Sequence, residues 1–186
     1  MAEQKVDVIT MSLINNSLAS LIDEMDMTIV RTTTSPPQRD TYDFLCSLTN
    51  AEGEVLMEGE EAVLHPNLCD PVIHDLLKNR GIDYVHPDDM FCINDPFSGA
   101  SHFPDVMVLH PVFYNDQLVA WTSAGGHVLD IGGRVAGSCD CLSRTSPTAS
   151  NTISSFQNFW YTSFLNSSRS FDCHIIQTAN QPWLYI

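Results

Sequence analysis

Asp105-Val106-Met107-Val108-Leu109-His110-Pro111-Val112-Phe113, followed by Tyr114-Asn115-Asp116 and then Gln117-Leu118-Val119-Ala120-Trp121, decides the fold class. Two apolar, β-branched runs on either side of a short polar turn form an antiparallel hairpin. Working backward, Met90 to Ile93 is another short apolar run. Asp43 to Leu48 and Glu54 to Met57 flank Asn50-Ala51-Glu52-Gly53, a polar connection whose glycine can take positive φ, and this predicts a further hairpin.

Helical patterns lie outside and between these strands. From Ile9 to Val30, the apolar residues Ile14, Leu18, Leu21, Ile22, Met25 and Ile29 recur at spacings of three and four, which predicts an amphipathic helix. Arg31 suits its negative end, and Thr32-Thr33-Thr34-Ser35-Pro36-Pro37 stops it, because proline lacks the donor a helix needs. A second helix is expected from Asp70 as N-cap and Pro71 at the first helical position to Arg80-Gly81, with Val72, Leu76 and Leu77 facing inward. A leading helix, hairpins and a middle helix together predict an α+β fold with a largely antiparallel mixed sheet.

The 186 residues, 44% of them hydrophobic, suffice for one core. A formal net charge of −15 argues against nucleic acid or an anionic membrane as partner, since phosphates are met by Lys and Arg. No apolar run is long enough for a membrane span and Met1 to Lys5 does not open a signal peptide, so the expected location is cytoplasmic. The six cysteines, Cys46, Cys69, Cys92, Cys139, Cys141 and Cys173, are widely spread and read as reduced, mostly buried thiols. Composition shifts near Leu142: residues 143–186 carry only Arg144, Arg169 and Asp172 as charged side chains and are rich in Ser, Thr, Asn and aromatics. The expected division is therefore 1–142 and an atypical tail, 143–186, disordered or arising from a reading-frame change.

The densest polar cluster is Asn94-Asp95-Pro96-Phe97-Ser98-Gly99-Ala100-Ser101-His102-Phe103-Pro104-Asp105, and Gly125-Gly126-His127-Val128-Leu129-Asp130-Ile131-Gly132-Gly133 follows. Both are expected to be loops leaving strands, where rigid flanks display chemical groups and glycines allow close approach. Converging there, His102, Asp105 and His127 would offer two imidazoles and a carboxylate, a set suited to a divalent ion such as Mn, Fe or Zn. Asp95 and Asp130 could orient such ligands, although Asp95-Pro96 also suits an ordinary turn. His65, His74, His86 and His110 read as structural or surface groups, and Cys139-Asp140-Cys141 as unpaired thiols. Neither a phosphate-binding loop nor a nucleophile elbow is present.

The block from Ile93 to Asp105 resembles the Asn-Asp-Pro-Tyr-x-Gly-Gly-Thr/Ser-His-x-Pro-Asp signature of the hydantoinase B/5-oxoprolinase family. His127-Val128-Leu129-Asp130-Ile131-Gly132-Gly133 is similar to its His-x-x-Asp-x-Gly-Gly stretch. Upstream, Ile29-Val30-Arg31-Thr32 with Ser35-Pro36, then Asp43-Phe44 to Leu48 and Gly53, resembles the family's first helix, Arg-Thr-x-x-Ser-Pro turn and first hairpin. Ala100 stands in place of a signature glycine, Phe97 in place of a tyrosine, and Val128 where many members carry a second histidine.

The resemblance implies one subunit of an ATP-dependent hydrolase opening cyclic amides such as hydantoins or 5-oxoproline, with ATP held by a hydantoinase A-type partner subunit. It further implies a divalent metal on His102, Asp105 and His127, as in related ketone carboxylases, with Asp95 and Asp130 as catalytic orienting groups. Family chains are much longer, so the domain is expected to be incomplete. The competing readings are an inactive or partner-binding remnant, a subunit of a ketone carboxylase, and ordinary loop chemistry without a metal.

Overall fold

A computed structural model describes residues 6–60, 67, 69–94, 96, 100–129 and, for backbone only, 172–175. Helix α1 (Val8–Thr32) is followed by a short helix α2 (Pro36–Asp40), strands β1 (Phe44–Asn50) and β2 (Val55–Glu58), and helix α3 (Cys69–Arg80). A 3-10 turn (Ile82–Tyr84) leads to β3 (Asp89–Ile93), β4 (Asp105–Tyr114), β5 (Gln117–His127) and β6 (Asp172–Ile175). The fold is α+β. Five strands in the order β2-β1-β5-β4-β3 are antiparallel, and β6 adds in parallel beside β3. That four-residue strand lies within the compositionally distinct tail, whereas the boundary expected near Leu142 falls outside the described residues, as do His65, Cys139 and Cys141.

Period-two alternation splits the core between the two faces of the sheet. Phe44, Cys46, Leu48, Met90, Cys92, Val106 and Val108 pack with Ile22, Met25 and Ile29 of α1. Their neighbours Leu45, Phe91, Ile93, Met107 and Leu109 pack with Cys69, Val72, Ile73 and Leu76 of α3, and with Trp121. A sheet covered on both faces explains why β3 is buried throughout instead of alternating. Cys46, Cys69 and Cys92 are buried and form no disulfide with one another.

Several boundaries differ from the sequence reading. Asp7 caps α1, accepting from the amides of Ile9 and Thr10. Packing of α1 begins only at Leu18: Ile14 and Leu21 are exposed, while Asp26 is buried. Asp26 lies against Gly59, where a Cβ would strike its carboxylate, so helix and β-hairpin meet closely there. Pro36 and Pro37 stop α1 as expected but then begin α2, because proline's fixed φ suits the first helical turn. Helix α3 starts at Cys69, one residue before the expected cap, so Asp70 lies in its first turn and pairs with His74 at 2.6 Å. Pro71 is accommodated because first-turn amides have no intrahelical acceptor. The Asn115-Asp116 turn has φ of 51° and 60°, the left-handed pair that closes a tight hairpin.

The largest correction concerns β5. Gly125, Gly126 and His127, expected in a loop, continue the strand: both glycines pair with β1 and β4, and His127 pairs with Asp105 of β4. A Cβ at Gly125 would collide with the Val106 carbonyl oxygen, and one at Gly126 with that of Asp43. Here the glycines admit close neighbouring backbones to a central strand.

Candidate metal centre

The site sits where three neighbouring strands reach the same end of the sheet. Asp105 opens β4 and is in register with His127, the last residue of β5. Asp43 immediately precedes β1, and its carbonyl accepts the His127 amide at 3.0 Å. By strand alternation Asp105 and His127 project on the same sheet face as Met107 and Leu109. His102 arrives from the turn before β4, closed by the Asp105 amide donating to the His102 carbonyl at 3.0 Å. Asn94 ties this turn to the end of β3 by donating its side-chain amide to the Phe103 carbonyl at 3.2 Å. Phe103 and Val128, each next to one of the imidazoles, pack in the α1-side core and so anchor both segments. Val128, which replaces a histidine of the resembling motif, is thus a core residue.

One carboxylate serves both rings. Asp105 Oδ2 lies 2.9 Å from His102 Nδ1, and Asp105 Oδ1 lies 3.9 Å from His127 Nδ1. The rings meet edge to face with centroids 4.7 Å apart. The Asp105 side chain is 0% exposed, whereas those of His102 and His127 are 39% and 23% exposed. A buried carboxyl group thus lies behind two solvent-accessible imidazoles. One ligand atom from each of His102, Asp105 and His127 lies within 4.8 Å of the others. This donor set, two borderline nitrogens and one hard oxygen converging from different segments, fits a divalent transition ion or zinc.

Three further residues contribute to which the sequence reading gave no role in the site. Asp43 Oδ2 is 3.7 Å from His127 Nδ1, opposite Asp105. Ser101 donates its hydroxyl to Asp105 Oδ2, so it supports the carboxylate and is not set up as a nucleophile. Ser35 donates to the His127 carbonyl at 2.8 Å across 92 positions of chain. Asp43 and Ser35 lie in quoted stretches, but only the strand order places them here. Asp95 and Asp130 lie outside the described residues. The other described histidines stand apart: His74 and His86 pair with Asp70 and Asp89, and His110 lies within β4.

The profile of the hydantoinase B/oxoprolinase family matches residues 7–152. The B component of a putative D-/L-hydantoinase from Pseudomonas sp. (strain NS671) is 33% identical over 142 residues, covering 73% of this chain and 24% of that protein. 5-Oxoprolinase 1 of Arabidopsis thaliana is 28% identical over 144 residues, covering 77% of this chain and 11% of its own length. The crystal structure of ATP-dependent caprolactamase from Pseudomonas jessenii superposes with a TM-score of 0.61 at 29% identity, over 71% of this chain and 23% of that one. The chain spans about a quarter, or less, of the length of these relatives. The match to the profile covers the helix, the hairpins and every residue of the site, and by it the chain belongs to the hydantoinase B/oxoprolinase family.

Proposed function

We propose that this chain is part of the B-type component of an ATP-dependent hydrolase that opens cyclic amides such as hydantoins or 5-oxoproline. In this reading a divalent cation is held by His102, Asp105 and His127, and ATP is held by a hydantoinase A-type partner subunit. The observation that carries the metal assignment is the convergence of those three side chains within 4.8 Å at the end of the sheet. The hydantoinase relative is by name one component of a larger enzyme, and the caprolactamase is ATP-dependent; both support the partner and the nucleotide.

When bound, the ion supplies positive charge that polarises a carbonyl oxygen and lowers the pKa of a coordinated water. The chain's own residues supply the rest. Asp105 is desolvated and receives the Ser101 hydroxyl, which orients its oxygens toward the two imidazoles. His102 and His127 are the solvent-accessible members of the set, and Asp43 adds a second carboxyl group beside His127. Asp95 and Asp130 orient the ligands in the same proposal.

The test uses the chain co-purified with an A-type subunit. Elemental analysis should find close to one equivalent of divalent ion, lost in His102→Ala and His127→Ala. Phosphate release from ATP should then depend on an added hydantoin, 5-oxoproline or lactam, and ring-opened product should form in step. A metal-loaded complex whose ATP turnover ignores all three ring classes would overturn the assignment.

A further inference from the structure

Ser35 occupies the N-cap of α2, but its hydroxyl makes no capping bond. Pro36 and Pro37 fill the first two helical positions, which leaves only the Gln38 amide for a cap to serve. The hydroxyl donates its proton to the His127 carbonyl at 2.8 Å. Ser35 is buried, at 8% exposure, so this bond is shielded from competing water. Its own amide is held by Thr33 Oγ1 at 3.1 Å, and Thr33 donates to the buried Gln38 side chain at 2.6 Å.

The acceptor is equally well placed. His127 ends β5, where ladder partners for its carbonyl run out. Its amide donates to the Asp43 carbonyl, and the next amide, that of Val128, donates to the Pro104 carbonyl. The Ser35 bond completes the set, so the His127 peptide is pinned from β1, from the turn before β4, and from the α1–α2 junction. A histidine ring turns about a Cα that these bonds fix, so losing one lets the imidazole leave register with His102 and Asp105.

We infer that Ser35 is a positioning residue for the metal centre, acting through the main chain of His127. The inference rests on the metal assignment above, and the experiment separates the two. Cobalt(II) is titrated into the purified chain and followed by its visible ligand-field absorption, with thermal unfolding recorded in parallel. Ser35→Ala should weaken binding by about 10- to 100-fold and alter the band intensities, while Ser35→Thr, which keeps the hydroxyl, should restore both. Thr41→Ala removes a different hydroxyl bond at the C-terminal end of α2, from Thr41 Oγ1 to the Pro37 carbonyl, and should leave cobalt affinity unchanged. If Ser35→Ala does not fold, the near-isosteric pair Ser35→Thr and Ser35→Val gives the same comparison. Wild-type chain that binds no cobalt overturns the metal assignment and this inference with it. Wild-type binding that Ser35→Ala leaves intact, or that Thr41→Ala weakens equally, overturns the positioning role alone.

Discussion

Asp105 and His127 face each other across β4 and β5 as a register pair, one buried and one at the rim, although the whole of the β4–β5 hairpin separates them along the chain. Asp43 continues the row on the opposite side of His127. Three adjacent strands therefore bring a carboxyl group, an imidazole and a second carboxyl group side by side, and His102 closes the group from the turn. The geometry makes the charge on Asp43 testable.

Asp43→Asn keeps the side chain's size and removes its charge. Zinc affinity, measured by competition with a chromophoric chelator, should fall by about tenfold or more, with the thermal midpoint little changed. Equal affinity in the variant would remove Asp43 from the metal centre.

Gly126 tests the strand extension. A Cβ there would meet the Asp43 carbonyl oxygen and the Phe44 backbone, none of which can move without breaking the β1–β5 ladder. Gly126→Ala should cost about 1–3 kcal/mol or more, as overpacking does, read from urea unfolding. A stability equal to wild type would mean that this strand end is not packed as described.

Trp121 is the largest fully buried side chain among the described residues, edge-on to Phe91 at 5.8 Å and donating its indole N–H to the Ala51 carbonyl at 3.2 Å. Trp121→Ala should destabilise the chain by about 3–5 kcal/mol. Urea denaturation followed by far-ultraviolet circular dichroism measures this, and a loss below 1 kcal/mol, roughly that of a surface change, would place Trp121 outside the core.

His110 gives a pH dependence. Burial holds its imidazole below the ordinary histidine value, against the opposing pull of Asp88 and Asp89. As pH falls below about 6.5 the unfolded chain gains a proton that the folded chain resists. The contribution to stability is therefore full above that pH and is lost as pH drops through the lowered folded value. His110→Gln should flatten the pH slope of the urea midpoint on the acidic side of neutrality, and an unchanged slope would refute the assignment.

Much of the fold was legible because it is written locally. The three- and four-residue spacing of Leu18, Ile22, Met25 and Ile29 requires a helix with one buried stripe. The polar turns at Asn50–Gly53 and Asn115–Asp116 close hairpins wherever apolar runs flank them. Boundaries shifted where two readings compete: Pro36 ends one helix and starts the next, and glycines 125 and 126 resemble a loop until neighbouring backbones occupy the space where their Cβ atoms would be. Exposure of Ile14 and Leu21 could not be foreseen, since periodicity defines a stripe but not how much of it the sheet covers.

Local pattern was enough for the α+β class, for α1, α3 and the two hairpins, and for the residue types able to hold a cation, because each depends on neighbours within a few positions. Which of those residues meet depends on how the strands assemble. Strand order and register set Asp43 and Asp105 on either side of His127, and the α1–α2 turn carries the Ser35 hydroxyl to a carbonyl 92 positions away. Such contacts form when the chain closes on itself, and no local spacing encodes them.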